Sequence, residues 1–127
     1  MLNSINNTLV SPELIPPKDN EITQITEDLV GPYELHDYFL YNMISYGYSP
    51  KKIFRLAKYS FEGKYNDEII KYWLKTFYRR FFNQQFKRSC LPDGVKATTI
   101  SLSPRKDLFM PSDASSYIWQ QEIEKIV

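Results

Sequence analysis

The stretch NDEIIKYWLKTFYRRFFNQQ, residues 66–85, decides how this chain folds. Ile69 and Ile70, Trp73 and Leu74, Phe77 and Tyr78, and Phe81 and Phe82 recur as adjacent pairs every four residues, which marks one apolar helix face. Lys71, Lys75 and Arg79 lie off it. Asn66 suits an N-cap, Asp67 and Glu68 stand in the first turn where the helix dipole favours carboxylates, and cations gather toward the far end. The spacing predicts an amphipathic core helix, the longest in the chain.

Working toward the N-terminus, Ser49-Pro50 reads as a cap and first-turn pair, and Ile53, Phe54, Ala57 and Phe61 give a second helix to about Glu62, ended by Gly63. Before it, Gly31-Pro32 opens a helix on which Leu35, Tyr38, Phe39, Asn42, Met43 and Tyr46 share a face, and Gly47 is placed to end it. Leu40, Tyr41 and Ile44 make its other side apolar as well, so this helix should be covered on more than one face. Pro12, Pro16 and Pro17 hold SPELIPP out of the helical region. Toward the C-terminus, Pro92-Asp93-Gly94 is a turn signature and Lys96 to Leu102 has the β-branched content of one short strand. A last helix is expected from about Ala114, capped by Ser112 or Asp113 and carrying Ile118, Trp119, Glu122, Ile123 and Ile126. The chain is thus predicted to be mainly α, with about four helices and long ordered loops. Its parts are an extended strap over 1–32, a helical core over 33–88, a loop region over 89–113 and a C-terminal helix over 114–127.

The length of 127 residues is that of one domain. Twenty aromatics demand either a bulky core or an aromatic surface awaiting a partner. One cysteine, Cys90, permits no internal disulfide, and with the single His36 it cannot make a four-ligand Cys/His zinc site. No apolar run reaches the ~20 residues of a membrane span, and MLNSINNT lacks the regions of a signal peptide, so the cytoplasm is the expected compartment. Scattered glycines exclude the GxGxxG and Walker patterns, and no nucleophile elbow is visible. His36, beside Asp37, reads first as a partly buried, hydrogen-bonded histidine.

The net charge of +1 hides an uneven distribution. Residues 1–38 sum to −6, residues 39–63 to +3, residues 64–88 to +5 and residues 89–127 to −1. The basic, aromatic middle suits a nucleotide, a nucleic acid or an acidic protein surface, or is simply a solvated helix face. Two polar clusters concentrate the chemistry. Gln84-Gln85-Phe86-Lys87-Arg88-Ser89 places two cations, two amides and a hydroxyl at the end of the long helix, where they can grip a phosphate or cap the helix dipole. Ser101-Leu102-Ser103-Pro104-Arg105 running to Met110-Pro111-Ser112-Asp113 is a loop long enough to be functional.

The runs YRRFFNQQFKRSCLPDG (78–94), SLSPRKD (101–107) and MPSDAS (110–115), with SPELIPP (11–17) and TEDLVGPYELHDYFLY (26–41) upstream, closely resemble the C-terminal part of the synthetase domain of bacterial glutamine-dependent NAD synthetases. The resemblance implies that this mainly helical portion completes an α/β, Rossmann-like domain of the ATP-pyrophosphatase type. The parent would be a carbon–nitrogen ligase that adenylates deamido-NAD with ATP and Mg²⁺, then lets ammonia from a glutaminase domain displace AMP. Residue by residue, the resemblance makes Lys87 a deamido-NAD contact and Arg88 a second candidate for the same phosphates or for structure. It matches Ser11 to a hydroxyl that contacts ATP in ammonia-dependent relatives, and Asp113 to a carboxylate near the ammonia entry, a position that also suits a helix N-cap. No residue is assigned to a metal and no cofactor is expected to be held firmly by this portion alone. The family's SGGxDS loop, its magnesium carboxylates and its glutaminase cysteine have no counterpart here, and Cys90 does not match that nucleophile. The chain alone is therefore expected to be inactive. Its expected partners are the remainder of the synthetase, the glutaminase domain, deamido-NAD and ATP, and its uncovered apolar surface should favour self-association. The alternative is a stand-alone nucleotide or nucleic-acid binding or regulatory module. The helical core spacing of the aromatics and the near-neutral net charge argue against nucleic acid.

Overall fold

A computed structural model describes residues 26–92, 94–96 and 98–126. Among them are six helices and no strand: α1 (Thr26–Val30), α2 (Tyr33–Tyr46), α3 (Pro50–Ser60), α4 (Asp67–Asn83), α5 (Gln85–Ser89) and α6 (Tyr117–Glu124). The mainly helical expectation holds, with α2, α3 and α4 where the spacing puts them. Three details differ. Thr26–Val30, expected within the strap, forms a short helix whose first turn carries Glu27 and Asp28, where the dipole favours them. The stretch 96–102 forms no strand among its described residues, since no neighbouring strand offers it a ladder. The last helix begins at Tyr117 rather than near Ala114, and Ser116, not Ser112 or Asp113, stands at its N-cap position. The proline stretch 11–17 and the candidate Ser11 lie outside the described residues.

α4 organises the rest. It packs against each of the other five helices, and Ile70, Leu74, Phe77, Tyr78, Phe81 and Phe82 of its stripe are buried. Ile69 is the member of the predicted stripe left exposed, and Trp73 is half-buried. Asn66 caps the helix as expected, its Oδ1 accepting from the Ile69 N–H at 2.8 Å. From α2 come Leu35 and Phe39, with Phe39 tilted against Phe77 at 5.9 Å between ring centroids. From α3 come Ile53, Phe54 and Ala57. Each large side chain so buried contributes roughly 1.5–3 kcal/mol relative to exposure.

Gly31 turns the chain between α1 and α2 at φ +90°, and a Cβ there would stand 2.5 Å from Trp73 Cδ2. The residue is therefore required twice, for its conformation and for the close approach of the backbone to the indole. Gly47 closes α2 in the left-handed conformation, its N–H returning to Met43 O. On the other side of α2, Leu40 and Ile44 are partly buried against the core while Tyr41 stays exposed, and Tyr46, expected on the inner face, is exposed as well.

α6 is held by its aromatic ring. Trp119 stacks on Phe82 at 4.5 Å and lies near-parallel to Tyr78 at 6.4 Å, with Ile123 and Ile126 following on the inner face. Ile118 is 71% exposed, and Trp119, one residue on, takes the inward position. Lys71 donates to Ile126 O, Lys75 pairs with Glu124 at 2.8 Å, and Gln120 donates to Lys75 O at 2.9 Å, so a polar row flanks the apolar contact. The Tyr78 hydroxyl is buried without a hydrogen-bond partner among the described residues, and burial pushes its ionisation upward.

This docking has a consequence for α3. Ser49 occupies its N-cap position, yet makes no side-chain cap bond; Glu122 of α6 instead accepts from the Lys51 N–H at 3.0 Å. The cap is supplied across the fold rather than locally. Glu122→Ala should therefore cost about 1 kcal/mol of stability and Ser49→Ala only a few tenths. Urea denaturation of the two variants checks this, and equal losses would contradict it.

Candidate functional site

The polar residues that the sequence singles out collect where α4 ends. The helix breaks at Gln84, and the five-residue α5 carries Gln85, Lys87 and Arg88 in different environments. Gln85 is fully buried. Its Oε1 accepts from Arg88 Nε at 2.6 Å, and its Nε2 donates to Met110 O at 3.4 Å. Arg88 also donates from Nη2 to Phe81 O at 2.6 Å and lies over the Phe81 ring, 4.2 Å from the centroid. Partial desolvation lowers its pKa from the usual guanidinium value. Phe81 O is one of the carbonyls the helix end leaves without an intrahelical partner, so Arg88 closes that end. Lys87, one residue before, is exposed, with no side-chain partner among the described residues.

The long loop folds onto the same region. Arg105 donates to Leu91 O at 3.0 Å, beyond the end of α5. The N–H groups of Asp107 and Leu108 turn back to Ser103 O at 3.2 and 3.0 Å. Lys96 pairs with Asp107 at 3.3 Å, and the Ser101 hydroxyl, followed by that lysine, holds the Asp107 carboxyl below the usual carboxylate range. Arg88, Lys96, Ser101, Ser103, Arg105 and Asp107 line an open cleft of about 710 Å³. Cations exceed carboxylates in it, which suits an anionic ligand. Asp113 is exposed in the turn at 112–113, three residues beyond Met110.

Lys87 and Asp113 thus stand on two segments that the Gln85–Met110 contact joins. Among the described residues no hydrogen bond or ion pair links them directly. Arg88, the second candidate, has two of its nitrogens occupied by the protein itself. His36 is part of the packing: its ring meets Phe77 edge-on at 5.3 Å, its Nδ1 is 3.8 Å from Asp37, and burial lowers its pKa despite that carboxylate. No three His, Cys, Asp or Glu residues cluster to hold a metal ion among the described residues, and none of their helices is long and apolar enough to cross a membrane. Sequence reasoning missed the buried junction at Gln85, whose signal was an amide placed directly after an aromatic stripe. It also missed Lys96, whose carboxylate lies eleven residues away.

Across an alignment of 145 residues that includes the whole chain, it is 39% identical to the glutamine-dependent NAD(+) synthetase of Mycobacterium leprae. It is 37% identical to the proteins of the same name from Mycobacterium tuberculosis and Mycobacterium bovis. The chain is homologous to a segment of glutamine-dependent NAD(+) synthetase. It spans about a fifth, 21%, of the length of these curated relatives. No family model matches the chain.

The division between structural Arg88 and exposed Lys87 is testable without any ligand. Arg88→Ala should lose about 1–3 kcal/mol, the cost of removing a charged partner from hydrogen bonds in a half-buried site. Lys87→Ala should stay within about 0.5 kcal/mol of the parent chain, as for exposed positions generally. Chemical denaturation midpoints give both values, and an unchanged Arg88→Ala would refute the clamp.

Proposed function

We propose that the chain serves as the C-terminal part of the synthetase domain in a glutamine-dependent NAD synthetase. In this reading it completes the deamido-NAD site through Lys87 and contributes Asp113 to the approach of ammonia. The observation that carries the reading is the identity along the full chain, joined to the exposure of Lys87 beside an arginine used for structure.

The chemistry sets what the residues would have to do. A carboxylate resists attack by ammonia until its oxygen becomes part of a good leaving group, and adenylation by ATP supplies AMP as that group. Lys87 would hold the substrate's phosphates as a compact point charge, keeping the carboxylate in register. Asp113 would attract ammonium or orient ammonia at the acyl-adenylate through its carboxylate. Ser11 would contact ATP through its hydroxyl. Mg²⁺ serves the phosphoryl transfer, but the described residues offer no cluster of ligands for it, so no step of this chain is assigned to the metal. Arg88 we assign to the structure of the pocket rather than to the ligand.

Because the synthetases are about five times as long, the remainder of the polypeptide is the principal partner in this reading, and the isolated chain makes no NAD. The exposed Tyr41 and Tyr46 of α2 suit a surface that the remainder covers. A cytoplasmic seat follows from the substrates, ATP and glutamine.

In the complete synthetase, Lys87→Ala should raise KM for deamido-NAD about tenfold or more with the thermal midpoint unchanged, the loss expected for one charge-assisted contact. Asp113→Asn should raise KM for free ammonia while leaving that for deamido-NAD near the parent value. Steady-state kinetics with ammonia as nitrogen donor read both, and unchanged constants in both variants would overturn the assignments.

A further inference from the structure

A second region of the molecule concentrates positive charge, only part of which the fold pairs. α3 holds four cations, Lys51, Lys52, Arg55 and Lys58, and no carboxylate. Its inner face buries Pro50, Ile53, Phe54 and Ala57, which leaves all four cations outside. Lys51, Arg55, Lys58 and Tyr59, with Lys125 from the end of the chain, line an open groove of about 810 Å³. Two carboxylates share that groove, Glu62 and Asp67, and Asp67 is already paired with Lys58 at 2.5 Å. Lys52 sits over the Tyr48 ring, 3.5 Å from its centroid. Among the described residues Lys51, Arg55 and Lys125 have no ion-pair partner.

The arrangement has a direction. Lys51, Arg55 and Tyr59 follow one another at i, i+4 and i+8, in a row along one helix face with ~6 Å of rise between neighbours. The row begins with two cations, one of them a planar fork that matches phosphate geometry, and ends with a phenol ring that is 81% exposed. A solvated face of lysines needs no such ring, and a ring of that size left in water suits a flat partner. The groove's volume lies within the range of small-molecule sites. Glu62, which has no ion-pair partner among the described residues, can accept from hydroxyl or amino groups.

We infer that the α3 groove is a binding site for a nucleoside di- or triphosphate, with Lys51, Arg55 and Lys125 on the phosphates and Tyr59 stacked on the base. The site lies on elements other than those carrying Lys87 and Asp113, and it stands or falls independently of the role proposed for those residues.

The test is a calorimetric titration of the purified 127-residue chain with ATP, with inorganic pyrophosphate and with a thymidine oligonucleotide, at fixed ionic strength and without added metal. ATP should bind saturably, and Arg55→Ala should weaken it about tenfold, as loss of a charge-assisted contact does. Tyr59→Ala should weaken ATP but leave pyrophosphate unchanged. Both side chains are exposed, so their removal leaves the core intact. Failure of ATP to bind at millimolar concentration would overturn the inference, as would ATP binding that is indifferent to both Arg55→Ala and Tyr59→Ala. Tighter binding of the oligonucleotide than of ATP, falling steeply with salt and unaffected by Tyr59→Ala, would overturn it in favour of general polyanion attraction.

Discussion

The burial of one face of α4 is the constraint on which the molecule depends. Eight apolar residues in four pairs make a stripe too wide for one neighbour to cover, and five helices assemble on it. The stripe also fixes where chemistry can sit. Phe82 and Tyr78 set the plane in which Trp119 stacks, and Trp119 sets the position of α6. Through α6 the same contact reaches Glu122 and the first turn of α3. A single aromatic surface thus determines helix packing and the capping of a helix that belongs to another part of the core.

The end of α4 shows how a helix terminus becomes a site. A chain that stops being helical leaves carbonyls to be satisfied, and here Arg88 turns back to one of them while Gln85 anchors the following loop. A half-buried guanidinium and a buried amide also satisfy each other. What the structure does not use is then conspicuous by position: Lys87 at the surface next to this clamp, and Asp113 on the loop that the clamp retains. In the proposed synthetase these two would act on a ligand held partly by the remainder of the polypeptide.

Much of this was legible in the amino-acid sequence, and the parts that were not share a physical cause. The helix cores at Leu35, Ile53 and Phe77 follow from periodicity, and the caps at Asn66 and Gly47 from local backbone chemistry, because both depend on neighbours a few residues away. The start of α6 was misread because Ser112 and Asp113 are good capping residues, while the position of Trp119 is decided by Phe82, far off in sequence. The substitution of Glu122 for Ser49 as the working cap of α3 is of the same kind. For the site, the density of polar residues at 84–89 was visible, but which of two adjacent cations is structural was not. That distinction depends on which side of a five-residue helix faces Gln85 and Phe81. The cationic row of α3 was visible only as charge, since its inner face had to be known before the outer one could be.

The central claim is that this chain acts only as one segment of a larger synthetase. The most direct measurement is NAD formation from deamido-NAD, ATP and ammonia by three samples: the chain alone, the remainder of the synthetase prepared without this segment, and the two mixed. The account predicts no product from either part and recovered synthesis from the mixture. Synthesis by the 127-residue chain alone, or undiminished synthesis by the remainder alone, would contradict it.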